Sequence, residues 1–135
     1  VAQGAVKTIF EIDDRFHPQW QELDPDWIRG EMQKYFGVKE RIDMLPHLYS
    51  DFDKTKFAGF CERVCDGASK GDKVCDLVLN NTGRDLARHV VALSGLVDAK
   101  MVTGEGWAGV DIVCTGSVWK SWALLKDGFM SEMAS

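Results

Sequence analysis

Across residues 72–95 the apolar side chains Val74, Leu77, Val78, Leu86, Val90 and Leu93, with Thr82 among them, recur every three or four positions. That spacing matches the 3.6-residue period of an α-helix and lays one apolar stripe along it. Asp72 stands where a carboxylate caps a first turn, and Gly95 stands where a helix stops. The stretch predicts an amphipathic helix of about six turns, the longest element of the chain.

Shorter helical patterns precede it. Ala2, Ala5, Val6, Ile9 and Phe10 form a stripe that begins at once, as expected of a chain cut from a longer one, until Phe16-His17-Pro18 interrupts it. Asp24-Pro25 then sets a cap with proline at the first helical position, and Trp27, Ile28, Met32, Tyr35 and Phe36 carry the next stripe to a stop at Gly37. A short helical stretch through Ile42, Met44 and Leu45 meets Pro46, and residues 47–51 read as a connection. Asp51 or Asp53 can cap a helix running through Phe57, Phe60, Cys61, Val64 and Cys65 toward Gly67, with Ser69-Lys70-Gly71 as its break.

Beyond the long helix, residues 98–109 lose all periodicity in a Gly-rich segment holding Met101 and Trp107, which reads as a loop with room for a short extended piece. Val110, Ile112, Val113 and Cys114 form a β-branched run, followed by a turn at Thr115-Gly116-Ser117 and a helix through Trp119, Trp122, Leu125 and Phe129. The expectation is a mainly α fold, about five or six helices with one short strand, forming a single domain over residues 1–135. A length of 135 residues with 45% hydrophobic content suffices for one core and not for two.

The charge pattern excludes some partners. Sixteen Lys and Arg are scattered among 21 Asp and Glu, for a net charge of -5, whereas nucleic-acid phosphates recruit clustered cations. No apolar run approaches the roughly 18 to 20 residues that span a bilayer, so no membrane partner is expected and a cytoplasmic location is. Cys61, Cys65, Cys75 and Cys114 show neither a framework spacing nor a CxxC pair. Although Cys61 and Cys65 share a helix face, all four read as buried reduced thiols acting as small hydrophobes.

Chemistry concentrates at the Thr115-Gly116-Ser117 turn. A glycine between strand and helix lets a ligand approach the backbone, and Ser117 and Ser121, one turn apart, present their hydroxyls on the same side. A Gly-Ser pair opening a helix is also an ordinary N-cap, and the residues by themselves favour that reading. Trp119 and Trp122 suit a ring clamp or, better, core packing. His17, His47 and His89 lie far apart with no ligand spacing, and Asp51 with Asp53 reads as helix capping rather than a cation site, so no metal is expected here. No GxxxxGK[ST] or GxGxxG phosphate loop occurs.

Two stretches carry a further likeness. They are His47-Leu48-Tyr49-Ser50-Asp51-Phe52-Asp53-Lys54 continuing into Lys56-Phe57-Ala58-Gly59-Phe60-Cys61, and Thr115-Gly116-Ser117-Val118-Trp119-Lys120-Ser121-Trp122 continuing into Leu124-Leu125-Lys126-Asp127-Gly128-Phe129. In wording, order and separation both resemble the N-acetylglucosamine kinases of animals. Weaker likeness in Gln33-Lys34-Tyr35-Phe36-Gly37-Val38, Arg88-His89-Val90-Val91-Ala92 and Ala5-Val6-Lys7 extends the resemblance over nearly the whole chain.

That family belongs to the actin-like sugar kinases, two-lobed α/β proteins of ribonuclease-H-like fold that pass the γ-phosphate of ATP, bound with Mg2+, to the 6-hydroxyl of N-acetylglucosamine. The resemblance implies a partial second lobe, with phosphate loops, catalytic Asp and sugar contacts all upstream of Val1 and a closing strand and helix beyond Ser135. It implies ATP contacts to adenine and ribose at Ala58, Ser117 and Ser121, to which Gly116 is added on backbone grounds. No catalytic, sugar-binding or metal residue is expected within the chain, which would be inactive alone. An incomplete lobe would expose apolar surface, so a homodimer or larger oligomer is expected. Two alternatives stay open: a stand-alone helical module for protein contact, and a related actin-like ATPase or kinase of another acetylated amino sugar.

Overall fold

Three aspartates and one glycine punctuate the chain where local chemistry requires. In a computed structural model describing residues 1–102 and 109–135, Asp24 Oδ1 accepts the Asp26 amide at 2.9 Å, Asp53 that of Lys56 at 3.0 Å and Asp72 that of Cys75 at 2.8 Å. Each satisfies an amide that the first helical turn leaves free. Gly37 adopts the left-handed conformation, φ 67° and ψ 34°, and closes its helix.

The helices so bounded are α1 (Ala2–Asp13), α2 (Asp26–Phe36), α3 (Leu45–Leu48), α4 (Lys54–Gly59), α5 (Cys61–Ser69), α6 (Lys73–Ser94), α7 (Ala99–Val102) and α8 (Trp122–Met133). Single 3-10 turns occupy Pro18–Trp20, Arg41–Met44 and Ser117–Ser121. Pro46 does not end a helix; it sits in the first turn of α3, where its missing N–H costs nothing. The expected helix across residues 53–67 is split at Phe60 into α4 and α5 and runs on to Ser69.

The fold is mainly α, and the expected strand is absent. Residues 110–114 run as exposed irregular chain, and no strand occurs among the described residues. A β-branched run becomes a strand only when a neighbour completes its ladder, and the described residues offer no second extended run. Within the expected loop, Ala99–Val102 instead forms one helical turn. Residues 103–108, with Trp107, lie outside the described residues.

One cluster of buried side chains joins the elements. Ala5, Val6 and Ile9 of α1 meet Ile28, Met32 and Phe36 of α2, Phe57, Phe60 and Val64 of α4 and α5, Val74, Cys75, Val78 and Leu79 of α6, and Leu125 of α8. Val74 and Val78 of the expected stripe are buried on α6 together with Cys75 and Leu79, whereas farther along the helix the buried positions are the small Gly83 and Ala87, and Leu93 is exposed. Gly83 and Ala87 are buried because α8 packs closely there: a Cβ added at Gly83 would meet the Leu125 carbonyl oxygen and lie 2.9 Å from the Phe129 nitrogen. Small residues thus set the helix face that a count of large ones misses.

Candidate functional site

A cleft of about 710 Å³ opens where the α4–α5 junction faces the 3-10 turn Ser117–Ser121, with the start of α1 as its third wall. Ala58 and Gly59 enter it from the end of α4, Cys61, Glu62 and Cys65 from α5, and Ser117, Val118, Lys120 and Ser121 from the opposing turn. Three of the four residues expected to contact a nucleotide, Ala58, Ser117 and Ser121, therefore line one cavity although 59 positions separate the first two. Gly116 is exposed and does not line it.

At the α4–α5 junction the helix is interrupted at the fully buried Phe60, whose backbone stays right-handed at φ -62° and ψ -20°, and Ala58 and Cys61 on either side of it both line the cleft. The Tyr35 hydroxyl donates to the Lys56 carbonyl oxygen at 2.5 Å and passes directly over Gly59, where a Cβ would strike it. On the facing wall Gly116 holds φ 102° and ψ 160°, a conformation that side chains oppose, and aims the 3-10 turn back toward α5. Gly116, which has no side chain to cap with, stands at the N-cap of the 3-10 turn, and Ser117 is the turn's first residue. Ser121 Oγ lies 3.3 Å from Cys65 Sγ, which bridges the two walls.

Among the described residues the cleft lining carries one carboxylate, Glu62, and two ammonium groups, Lys120 and the amino group of Val1, and is otherwise apolar or neutral. Such a lining suits a neutral ring and ribose better than a polyphosphate, which needs several donors and cations. Among the described residues no group of three His, Cys, Asp or Glu is placed to hold a metal ion. The histidines are dispersed: His17 pairs with Glu11 at 3.5 Å, and His47 stacks on Phe36 with ring centroids 5.2 Å apart.

The tryptophan pair packs on the surface rather than in the core. Trp119, Trp122 and Phe129 pack with centroids 5.3 to 6.0 Å apart, and together with Ile112 and Cys114 they line a second, apolar cavity of about 320 Å³.

The thiols differ more than their shared reading allowed. Cys75 is fully buried, Cys61 and Cys65 are half-buried in the cleft wall, and Cys114 is exposed. Burial, and then the neighbouring Cys65, pushes the Cys61 thiol from an ordinary 9.0 up to about 11, and burial pushes Cys75 higher still. Because the thiolate is the nucleophile, Cys61 should alkylate about 100-fold more slowly than an unperturbed thiol at pH 8. Iodoacetamide labelling read by peptide mass spectrometry is expected to modify Cys114 first and Cys75 last. A thiol whose folded pKa is raised favours the native state fully below pH 9. That contribution fades as pH climbs through about 11, so urea stability should decline across this window.

Cys65 was the residue sequence reasoning missed. Its signal was the four-residue spacing from Cys61: both line the cleft, and Cys65 also packs against the core. No helix among the described residues is long and apolar enough to cross a membrane. No protein-family model matches the chain.

Proposed function

We propose that the cleft is the adenosine-facing part of an ATP site, and that the chain is part of the second lobe of a cytoplasmic kinase that phosphorylates N-acetylglucosamine. The observation that carries this reading is the convergence of Ala58, Ser117 and Ser121 on one cavity. Ala58 came only from the resemblance, whereas Ser117 and Ser121 also came from helical spacing. Magnesium and the phosphates would be held by groups outside this chain, since among the described residues the cleft offers one carboxylate, Glu62, and no cluster of cations beyond Lys120 and the Val1 amino group.

Without phosphate contacts, adenosine and ATP should bind alike and weakly, with Kd on the order of 1 mM or above. Amide shifts in nuclear magnetic resonance titrations should centre on Ala58, Ser117 and Ser121. A leucine at Ser121 should abolish them by filling the cleft. Absence of any shift at saturating adenosine, or ATP binding far tighter than adenosine, would overturn the assignment.

A second reading, a helical module for protein contact or self-association, draws on the apolar residues left open near the tryptophan pair. Ile112, Val113, Trp122 and Met130 are all exposed. Sedimentation equilibrium is expected to show a homodimer or larger species at high concentration, and a clean monomer would remove this reading.

A further inference from the structure

We propose that Cys61 and Cys65 form a dithiol site that captures trivalent organoarsenic oxides across the cleft wall. Both side chains project from α5 one turn apart, a spacing that sets their Cβ atoms about 5–6 Å from each other on the same face. Both are reduced, both are half-buried rather than sealed, and both line the cleft. Val1, Ala2 and Val118 beside them give an organic substituent apolar walls to rest on.

Their geometry selects this chemistry over disulfide formation. A disulfide draws its Cβ atoms to about 3.5–4.5 Å, closer than one turn of an intact helix holds them. A single arsenic atom inserted between the sulfurs spans the longer gap without unwinding α5. In the reaction the arsenic–oxygen double bond breaks and two arsenic–sulfur bonds form. The oxygen leaves with both thiol protons as water, and no element changes oxidation state. Once one sulfur is bound, the second bond closes intramolecularly on a rigid turn, which is the source of the selectivity for a pair over a single thiol.

The other thiols lack this arrangement. Cys75 is buried against Gly67, where a Cβ would meet its sulfur, and Cys114 stands exposed on the irregular segment. Cys65 Sγ also contacts Ser121 Oγ at 3.3 Å, so an occupied dithiol intrudes on the same wall that Ser117 and Ser121 present. The site needs only the two thiols and stands independently of the nucleotide reading.

Phenylarsine oxide is the probe, followed by intact-mass spectrometry of the 135-residue chain. One adduct per chain is expected, persisting in excess 2-mercaptoethanol and released by dithiothreitol. Cys61→Ser and Cys65→Ser should each weaken capture by about 100-fold or more, the advantage a second linked contact brings. Cys114→Ser should leave it unchanged. A readout on the unmutated chain avoids any dependence on how the variants fold: bound arsenical should block alkylation of Cys61 and Cys65 at alkaline pH while Cys114 still reacts. No adduct, an adduct unaffected in both Cys61→Ser and Cys65→Ser, or protection of Cys114 instead would overturn the proposal.

Discussion

Replacing Gly128 by alanine is expected to destabilise the chain by about 2–3 kcal/mol, although alanine favours a helix over glycine by about 1 kcal/mol. Gly128 lies within α8 and is buried against α6, where an added Cβ would collide with the Asn80 carbonyl oxygen and sit 2.8 Å from its carbonyl carbon. The obstruction is backbone, so no rotamer change relieves it. The two helices must separate, which loosens fully buried Leu125 and buried Ala87. Overpacking of this kind ordinarily costs about 1–3 kcal/mol, and a backbone obstacle lies at the upper end or beyond.

Gly83 faces α8 in the same way, so Gly83→Ala should cost a similar amount. The double variant should cost less than the two together, because one displacement of the helices relieves both clashes. Gly95→Ala supplies the control: nothing lies within 4 Å of its Cβ and its φ of -71° suits any residue, so it should gain about 0.5 kcal/mol. Urea unfolding measures all four. If Gly128→Ala were as benign as Gly95→Ala, the close crossing of α6 and α8 would be wrong.

That crossing also marks the limit of what periodicity reveals. Caps are local, and Asp53, Asp72 and Gly37 act as their residue types imply because the partner is an amide or carbonyl a few residues away. Helix faces are less local. The stripe through Leu77, Leu86 and Leu93 weighs large side chains, whereas the tightest contact on α6 is made where a side chain is missing. Strands are least local of all. Residues 110–114 have β-branched composition, but a strand's hydrogen bonds belong to its partner, and composition cannot supply one.

The cleft divides in the same manner. Ser117 and Ser121 were placed on a common side by helical spacing, and they line a common wall. That Ala58 stands across from them depends on how the α4–α5 junction packs against the rest of the fold, which neither helix announces in its own pattern. The cysteines divide differently: spacing put Cys61 and Cys65 together and hydrophobic character sent them into the core, against which Cys65 does pack, while both also line the cavity. A face is legible from one helix; what it faces is decided by the others.

Phe60 is where the core and the cleft depend on one side chain, and Phe60→Ala is expected to cost about 4 kcal/mol. Its ring has no exposed surface and stacks against Tyr35 and Phe36 with centroids 5.6 and 5.5 Å away. The loss combines a phenyl group's transfer from water, a cavity that three neighbouring elements cannot collapse around, and aromatic contacts worth roughly 0.5–1.5 kcal/mol each. Against a total stability of about 5–15 kcal/mol, the variant should remain folded only narrowly at room temperature. Phe52→Ala gives the contrast, since that ring is 54% exposed and meets one ring, Phe57, with centroids 5.6 Å apart, so its removal should cost about 1 kcal/mol. Phe60→Leu should lose far less than alanine does, because most of the volume remains. It thereby offers a folded protein in which the packing of the α4–α5 junction is altered. In that variant the amide resonances of Ala58, Cys61 and Cys65 should shift together while those of α6 and α8 hold still, because the α4–α5 junction, and not the helix pair, supplies that cleft wall. Equal unfolding free energies for Phe60→Ala and Phe52→Ala would refute the placement of Phe60 at the centre of this junction.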